Sequence, residues 1–181
     1  MRLTNSATHY GLVSKLFHWV IALTIIGLIW LGWYMVDLTY FDKWYNQSLA
    51  LHKAFGMLVL GLAIGLFLWK VISPSPPAAA SIPAWQRVAA SLMHYVLMVL
   101  MVLIPLSGYL ISTSAGKPVI FFGLIEIPAL FEKNDEVRDI AIELHFYVAY
   151  GIGVLVLGHA GAAIKHQLID RDGTLARMIW R

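Results

Sequence analysis

Four long stretches without a charged residue limit what this chain can fold into. Residues 16–36 carry no charge over 21 residues, and residues 144–164 give another 21. Residues 88–116 form the longest such run, and residues 54–69 a shorter one. Inside hydrocarbon a backbone must satisfy its own polar groups, so apolar runs of this length become helices. A spanning helix takes about 20 residues. The shorter run reaches that length with its flanks, 49–70, if the end charges snorkel to the interface. The expectation is one all-α domain over residues 1–181, an integral membrane four-helix bundle with spans at 14–36, 49–72, 88–114 and 141–166.

Composition agrees. The chain is 60% hydrophobic and only 13% charged, against about 25% charged in a soluble domain. The first span is too long for the apolar core of a signal peptide, about 7–15 residues, and no clear small-residue cleavage site follows it. A net charge of +3, dispersed along the chain, gives no footing for nucleic acid. The absence of cysteine removes disulfides, thiolate clusters, thiol catalysis and the C-x-x-C-H attachment of c-type haem.

The loops are polar, aromatic or Pro-rich. Residues 37–47 include Tyr40, Phe41, Trp44 and Tyr45, and residues 73–83 read SPSPPAAASIP, an extended linker that cannot continue a helix. The long connection 117–143 holds six acids and three basic residues, with Gly116, Pro118, Gly123 and Pro128 breaking regular structure. Eight Lys/Arg fall on the side of the termini, among them Arg87, Lys165, Arg177 and Arg181, and five on the other. The bias predicts cytoplasmic N- and C-termini.

Histidine placement then carries the chemistry. His145 and His159 are fourteen residues apart on one apolar span. Fourteen steps of about 100° fall about 40° short of four turns, so the two imidazoles share a face, about 21 Å apart along the axis. Ionisable groups inside a membrane are costly and mark function. The loop map gives each histidine a depth. His52 and His145 lie at the outer level, and His18, His94 and His159 at the inner one. Neutral imidazole is a good axial ligand for haem iron, and bundle cofactors are held by facing helices. One bis-histidine haem fits each level. With both axial positions filled, the role would be electron transfer and not oxygen activation. The inner level has one histidine too many, and the residues alone leave His18 and His94 open. His9 and His166 read as solvated or interfacial. Gly56, Gly61 and Gly65 after His52, and Gly151, Gly153, Gly158 and Gly161 around the helix 4 pair, have two readings: room for a flat macrocycle, or close helix packing.

These residues carry a resemblance. FHW at Phe17–Trp19, LHK at Leu51–Lys53, MHYVLM at 93–98 and PLSGYLIS at 105–112 come in order. GKP and FFG within 116–123, LHF at 144–146 and GHAGAAIKHQLIDRDGTLARM at 158–178 follow. Together they resemble the bacterial cytochrome b561 group of four-helix dihaem membrane proteins, over nearly the whole chain. The same core is similar to the cytochrome b subunits of membrane hydrogenases and formate dehydrogenases.

The resemblance implies a multi-pass protein of the bacterial inner membrane, two b-type haems and exchange of electrons with quinone. It implies His52 and His145 as axial ligands of the outer haem iron, and His18 and His159 of the inner. His94 is then left for a propionate, a quinone or a proton path. One branch of the group oxidises superoxide at the periplasmic face and passes the electron to ubiquinone. Lys53 and Lys117, beside the outer level, would attract such an anion, although the acid-rich outer loop opposes a strong positive field. Lys53 has a plainer reading, snorkelling to the interface. Arg87, Lys165 and Lys70 would pair propionates or simply anchor the chain to anionic headgroups. Pro105 should kink helix 3, with Ser107 re-satisfying freed backbone groups and Gly108 giving room, which would either shape a quinone or haem pocket or be only a bend.

Two other functions fit the spacing: a haem-bearing anchor subunit of a larger redox complex with a protein partner, and a histidine-lined metal or proton transporter. The charge-free stretches hold no acid, which weighs against a pump.

Overall fold

The computed structural model describes residues 2–78 and 81–179. Arg181, counted above among the cations on the side of the termini, lies outside the described residues, as do residues 79–80 of the linker. Among the described residues four helices are long and apolar enough to cross a membrane: α1 (Leu12–Val36), α2 (Tyr45–Ile72), α3 (Ala84–Ser114) and α4 (Asp135–Lys165). A π-helical turn (His166–Asp170) continues α4, and a short helix α5 (Thr174–Ile179) follows.

The helices begin earlier than hydropathy alone suggests, because their first turns lie outside the apolar runs. α4 starts six residues before the expected 141. Asn134 caps it, its side-chain oxygen accepting from Val137 N–H at 3.0 Å. Asp135 and Glu136 in the first turn favour the positive end of the helix dipole. α3 starts directly after Pro83, a position where a missing N–H costs nothing. In α2 the extra turn is tied by Ser48, whose hydroxyl donates to Trp44 O at 2.8 Å.

The long connection holds regular structure after all. Strands β1 (Val119–Phe121) and β2 (Ile125–Ile127) pair antiparallel. Phe122 and Gly123 at the bend both have positive φ, and Leu124 N–H closes it on Phe121 O at 3.0 Å. The glycine there is needed for that backbone. Strands of three residues are too short to show an alternating pattern. Phe122 stacks edge-on against Phe55 of α2, ring centres 5.0 Å apart, which lays the hairpin over the loop end of the bundle.

Both termini lie on the opposite face and are stitched together. Trp19 of α1 donates to Met178 O, and Arg177 of α5 donates to Thr8 O and Pro77 O. Asn5 binds Ser73 and, through its side-chain oxygen, Gly11 N–H and the Ser14 hydroxyl. Trp69 completes this knot by donating to Ser14.

The core is narrow, as membrane immersion allows. Ile21, Ile25, Val59 and Ile152 are its buried centre. Ile152 is seven residues from both His145 and His159, so this apolar cluster fills the bundle between the two histidine levels. Large side chains such as Trp30, Val154 and Leu157 point outward, the arrangement of a protein solvated by lipid.

Candidate functional site

α4 packs chiefly on α3 and stands off from α1 and α2. Imidazoles reach across both gaps. Near the loop face, His52 of α2 and His145 of α4 meet with ring centres 6.0 Å apart. Near the terminus face, His18 of α1 and His159 of α4 meet at 6.1 Å. His94 of α3 approaches His159 more closely, at 5.1 Å. The histidines expected at each level are thus brought together.

These separations have a chemical meaning. Metal–imidazole bonds run about 2.0 Å, so two nitrogens on opposite sides of one metal stand about 4 Å apart and their ring centres about 6 Å. The His52–His145 and His18–His159 pairs have that spacing. The His94–His159 pair is too close for it.

His145 is held by α3. Its Nδ1 lies 3.1 Å from Ile104 O and 3.0 Å from Ser107 Oγ. The Ser107 hydroxyl itself donates to Ile104 O at 2.8 Å. Gly108 makes room for the ring, since a Cβ there would sit 3.0 Å from His145 Cε1. The PLSG segment therefore shapes a socket for His145, the pocket rather than the bare bend of the two readings that its sequence allows. Ser107 does not reach the Met101 carbonyl that Pro105 leaves unbonded; its hydroxyl goes to Ile104. Nothing in the sequence joins residues 107 and 145 except that both lie toward the same end of their spans.

His52 is held differently. Its Nδ1 is buried without a hydrogen-bond partner among the described residues, a costly state unless a bound group takes it up. One turn further, half-buried Gly56 has nothing within 4 Å of where a Cβ would be, leaving a flat recess on the same helix face. The other glycines divide. Gly61, Gly151 and Gly161 also face open space, whereas Gly65 is packed on the Phe17 ring at 3.2 Å and Gly158 on Met93 at 3.8 Å. The donor set, the two gaps and the Gly56 recess fit a flat group with two axial imidazoles.

The charged candidates separate. Half-buried Lys53 lies near enough to Lys117 for their charges to repel, and both flank the His52 end. Lys70 reaches from α2 to Met98 Sδ at 3.1 Å, close to His94. Arg87 is exposed near the start of α3, two turns from His94, and joins neither histidine pair. His166 is less free than expected. Its side chain is 15% exposed, with Nδ1 2.6 Å from Asp172 Oδ2 and 3.1 Å from Asp170 Oδ2. His9 is exposed, beside the Thr8 hydroxyl.

Comparison with known protein families matches residues 9–181 to the prokaryotic cytochrome b561 family. The chain belongs to that family. It is 42% identical to "Cytochrome b561 homolog 2" of Escherichia coli over 180 residues, covering 99% of this chain and 95% of the relative. It is 29% identical to "Cytochrome b561 homolog 1" of the same organism over 168 residues, 91% of this chain and 93% of the relative. The "Probable superoxide oxidase CybB" of Yersinia pestis is 27% identical over 168 residues, 90% of each chain. This cytochrome b561 is thus a bacterial membrane cytochrome, and the family implies b-type haem.

Proposed function

We propose that this cytochrome b561 carries two b-type haems, one held by His52 and His145 and one by His18 and His159, and moves electrons between ubiquinone and a second redox partner. The observation that carries this reading is the pair of matched imidazole separations, 6.0 and 6.1 Å, at two levels of one helix. Bis-imidazole haem exchanges single electrons and has no position free for oxygen.

The chain's own residues do the rest. α4 supplies one ligand to each level and fixes their spacing. Ile104 and Ser107 orient His145, and Ile21, Ile25, Val59 and Ile152 keep water out of the space between. His94, beside His159 but too close to share a metal with it, is left to receive a propionate, a quinone oxygen or a proton, with Lys70 nearby as a compensating charge. The excess of Lys/Arg on the terminus face supports a cytoplasmic location for both ends and residence in the inner membrane.

One observation favours a particular outer donor. Lys53 and Lys117 place two mutually repelling cations beside the His52 level. Such a pair draws a small anion toward the outer site. Superoxide suits that charge, and a relative is named a probable superoxide oxidase.

The test is spectroscopic. The purified, folded protein should show a reduced b-type spectrum with two haems per chain, and be reduced by a quinol or by superoxide. A folded sample without haem overturns the reading. Haem that superoxide cannot reduce overturns only the choice of donor. Copurifying subunits would show the haem-bearing anchor of a larger complex instead.

A further inference from the structure

Ser107 is 1% exposed and lies toward the loop end of the third span. Its hydroxyl has one proton and donates it to Ile104 O at 2.8 Å. Bonding of this kind to a carbonyl one turn back is common for helical serine and by itself only satisfies the side chain. Here a second contact is built on it. With the proton committed, the lone pairs of Ser107 Oγ are what His145 Nδ1 meets at 3.0 Å. The other neighbour of Nδ1, Ile104 O at 3.1 Å, is also an acceptor.

Two acceptors around one ring nitrogen settle the tautomer. Nδ1 carries the proton, and Nε2 keeps the lone pair. Acceptors on the far nitrogen draw its proton away from the ring and raise the basicity of the ligating nitrogen. A more basic axial imidazole stabilises the ferric state.

We propose that Ser107 is a positioning residue that sets the donor strength of His145 and thereby lowers the redox potential of the haem His145 holds. The proposal rests on the axial role given above to His145. Ser107 touches neither iron nor substrate; it acts through the proton on Nδ1. Its burial matters, because no water can replace the lost acceptor.

The experiment is a redox titration of the haem-loaded, full-length protein and of Ser107→Ala, Ser107→Cys and Ser107→Thr, with haem counted in each. With Ser107→Ala one of the two midpoint potentials should rise and the other stay where it was, at unchanged haem content. Sulfur is a weaker acceptor, so Ser107→Cys should give a smaller rise of the same transition. Ser107→Thr keeps the hydroxyl and should reproduce the native potential. Unmoved potentials in both the Ala and Cys variants, an equal shift of both haems, or a Thr variant that moves as far as Ala would overturn the proposal. Should Ser107→Ala fail to fold, the Cys and Thr variants decide by the same criteria. Wild-type protein that binds no haem refutes the axial reading itself, an outcome distinct from haem whose potentials ignore residue 107.

Discussion

Gly108 lies directly against His145: a methyl group at its Cβ position would come within 3.0 Å of the ring carbon Cε1. In an ordinary helix replacing glycine by alanine gains about 1 kcal/mol from propensity. Here the added atom pushes on Cε1 and, at 3.3 Å, on the Nδ1 that Ser107 and Ile104 hold in place. Gly108→Val should cost about 1–3 kcal/mol through overpacking and release the haem at the His145 level before the other. Thermal unfolding and haem content per chain check this, and a variant that keeps two haems with undiminished stability would count against it.

The histidine pairs predict a pattern of loss. His145→Ala should remove one haem and leave the other, and His159→Ala the reverse. His18→Ala should behave like His159→Ala, whereas His94→Ala should leave both haems in place, because its ring is too close to His159 to share a metal with it. Haem counts on the four variants decide this. If His94→Ala loses a haem while His18→Ala keeps both, the inner pairing is reversed.

Much of this was legible in the sequence, for a physical reason. Hydrocarbon punishes an unpaired backbone so heavily that a charge-free run of the right length has one outcome, and the four helices lie where those runs fall. The shared face of His145 and His159 follows from helical pitch alone. What could not be read is contact between segments distant in sequence. Ser107 is 38 residues from His145, and no periodicity on either helix says that they touch. The helix starts at Asn134 and Pro83 lie beyond the hydropathy signal, one set by a polar side-chain cap and the other by proline's fixed backbone. The β1–β2 hairpin hides for a similar reason, since its order comes from packing on Phe55.

The apolar centre between the histidine levels should be sensitive to volume. Ile152 is 2% exposed and belongs to the buried cluster with Ile21, Ile25 and Val59. Ile152→Ala should cost about 2–5 kcal/mol through the lost side chain and the cavity left behind. Both haems should remain bound, since no ligand is touched. Thermal denaturation followed at the haem band measures it, and a change below about 1 kcal/mol would mean that the centre collapses onto the gap.

Acid should loosen the terminus face. Burial would raise the Asp172 carboxyl, but hydrogen bonds from the Thr174 hydroxyl and backbone N–H, with His166 beside it, hold it below its ordinary value of 3.8. A carboxylate more acidic in the folded state stabilises the fold above its ordinary value, and the benefit is lost as pH falls through the lowered one. The turn that leads into α5 should stay intact at about pH 5 and weaken below about pH 4. Asp172→Asn should remove that dependence. Proteolysis or amide exchange of residues 172–179 across this range is the measurement, and a wild-type profile that stays flat below about pH 4 would contradict it.

The fourteen-residue separation on α4 also has an electrical consequence. About 21 Å of helix covers about two-thirds of a hydrocarbon layer of about 30 Å. A charge carried from one level to the other therefore crosses about two-thirds of any voltage across the membrane. At about 2.3 kcal/mol per charge per 100 mV, that is about 1.5 kcal/mol for each electron. The apolar packing around Ile152 keeps that stretch of low dielectric, so the drop falls across it. Whatever donates at one face and accepts at the other, a cell's membrane voltage enters the driving force, helping the electron in one direction and opposing it in the other.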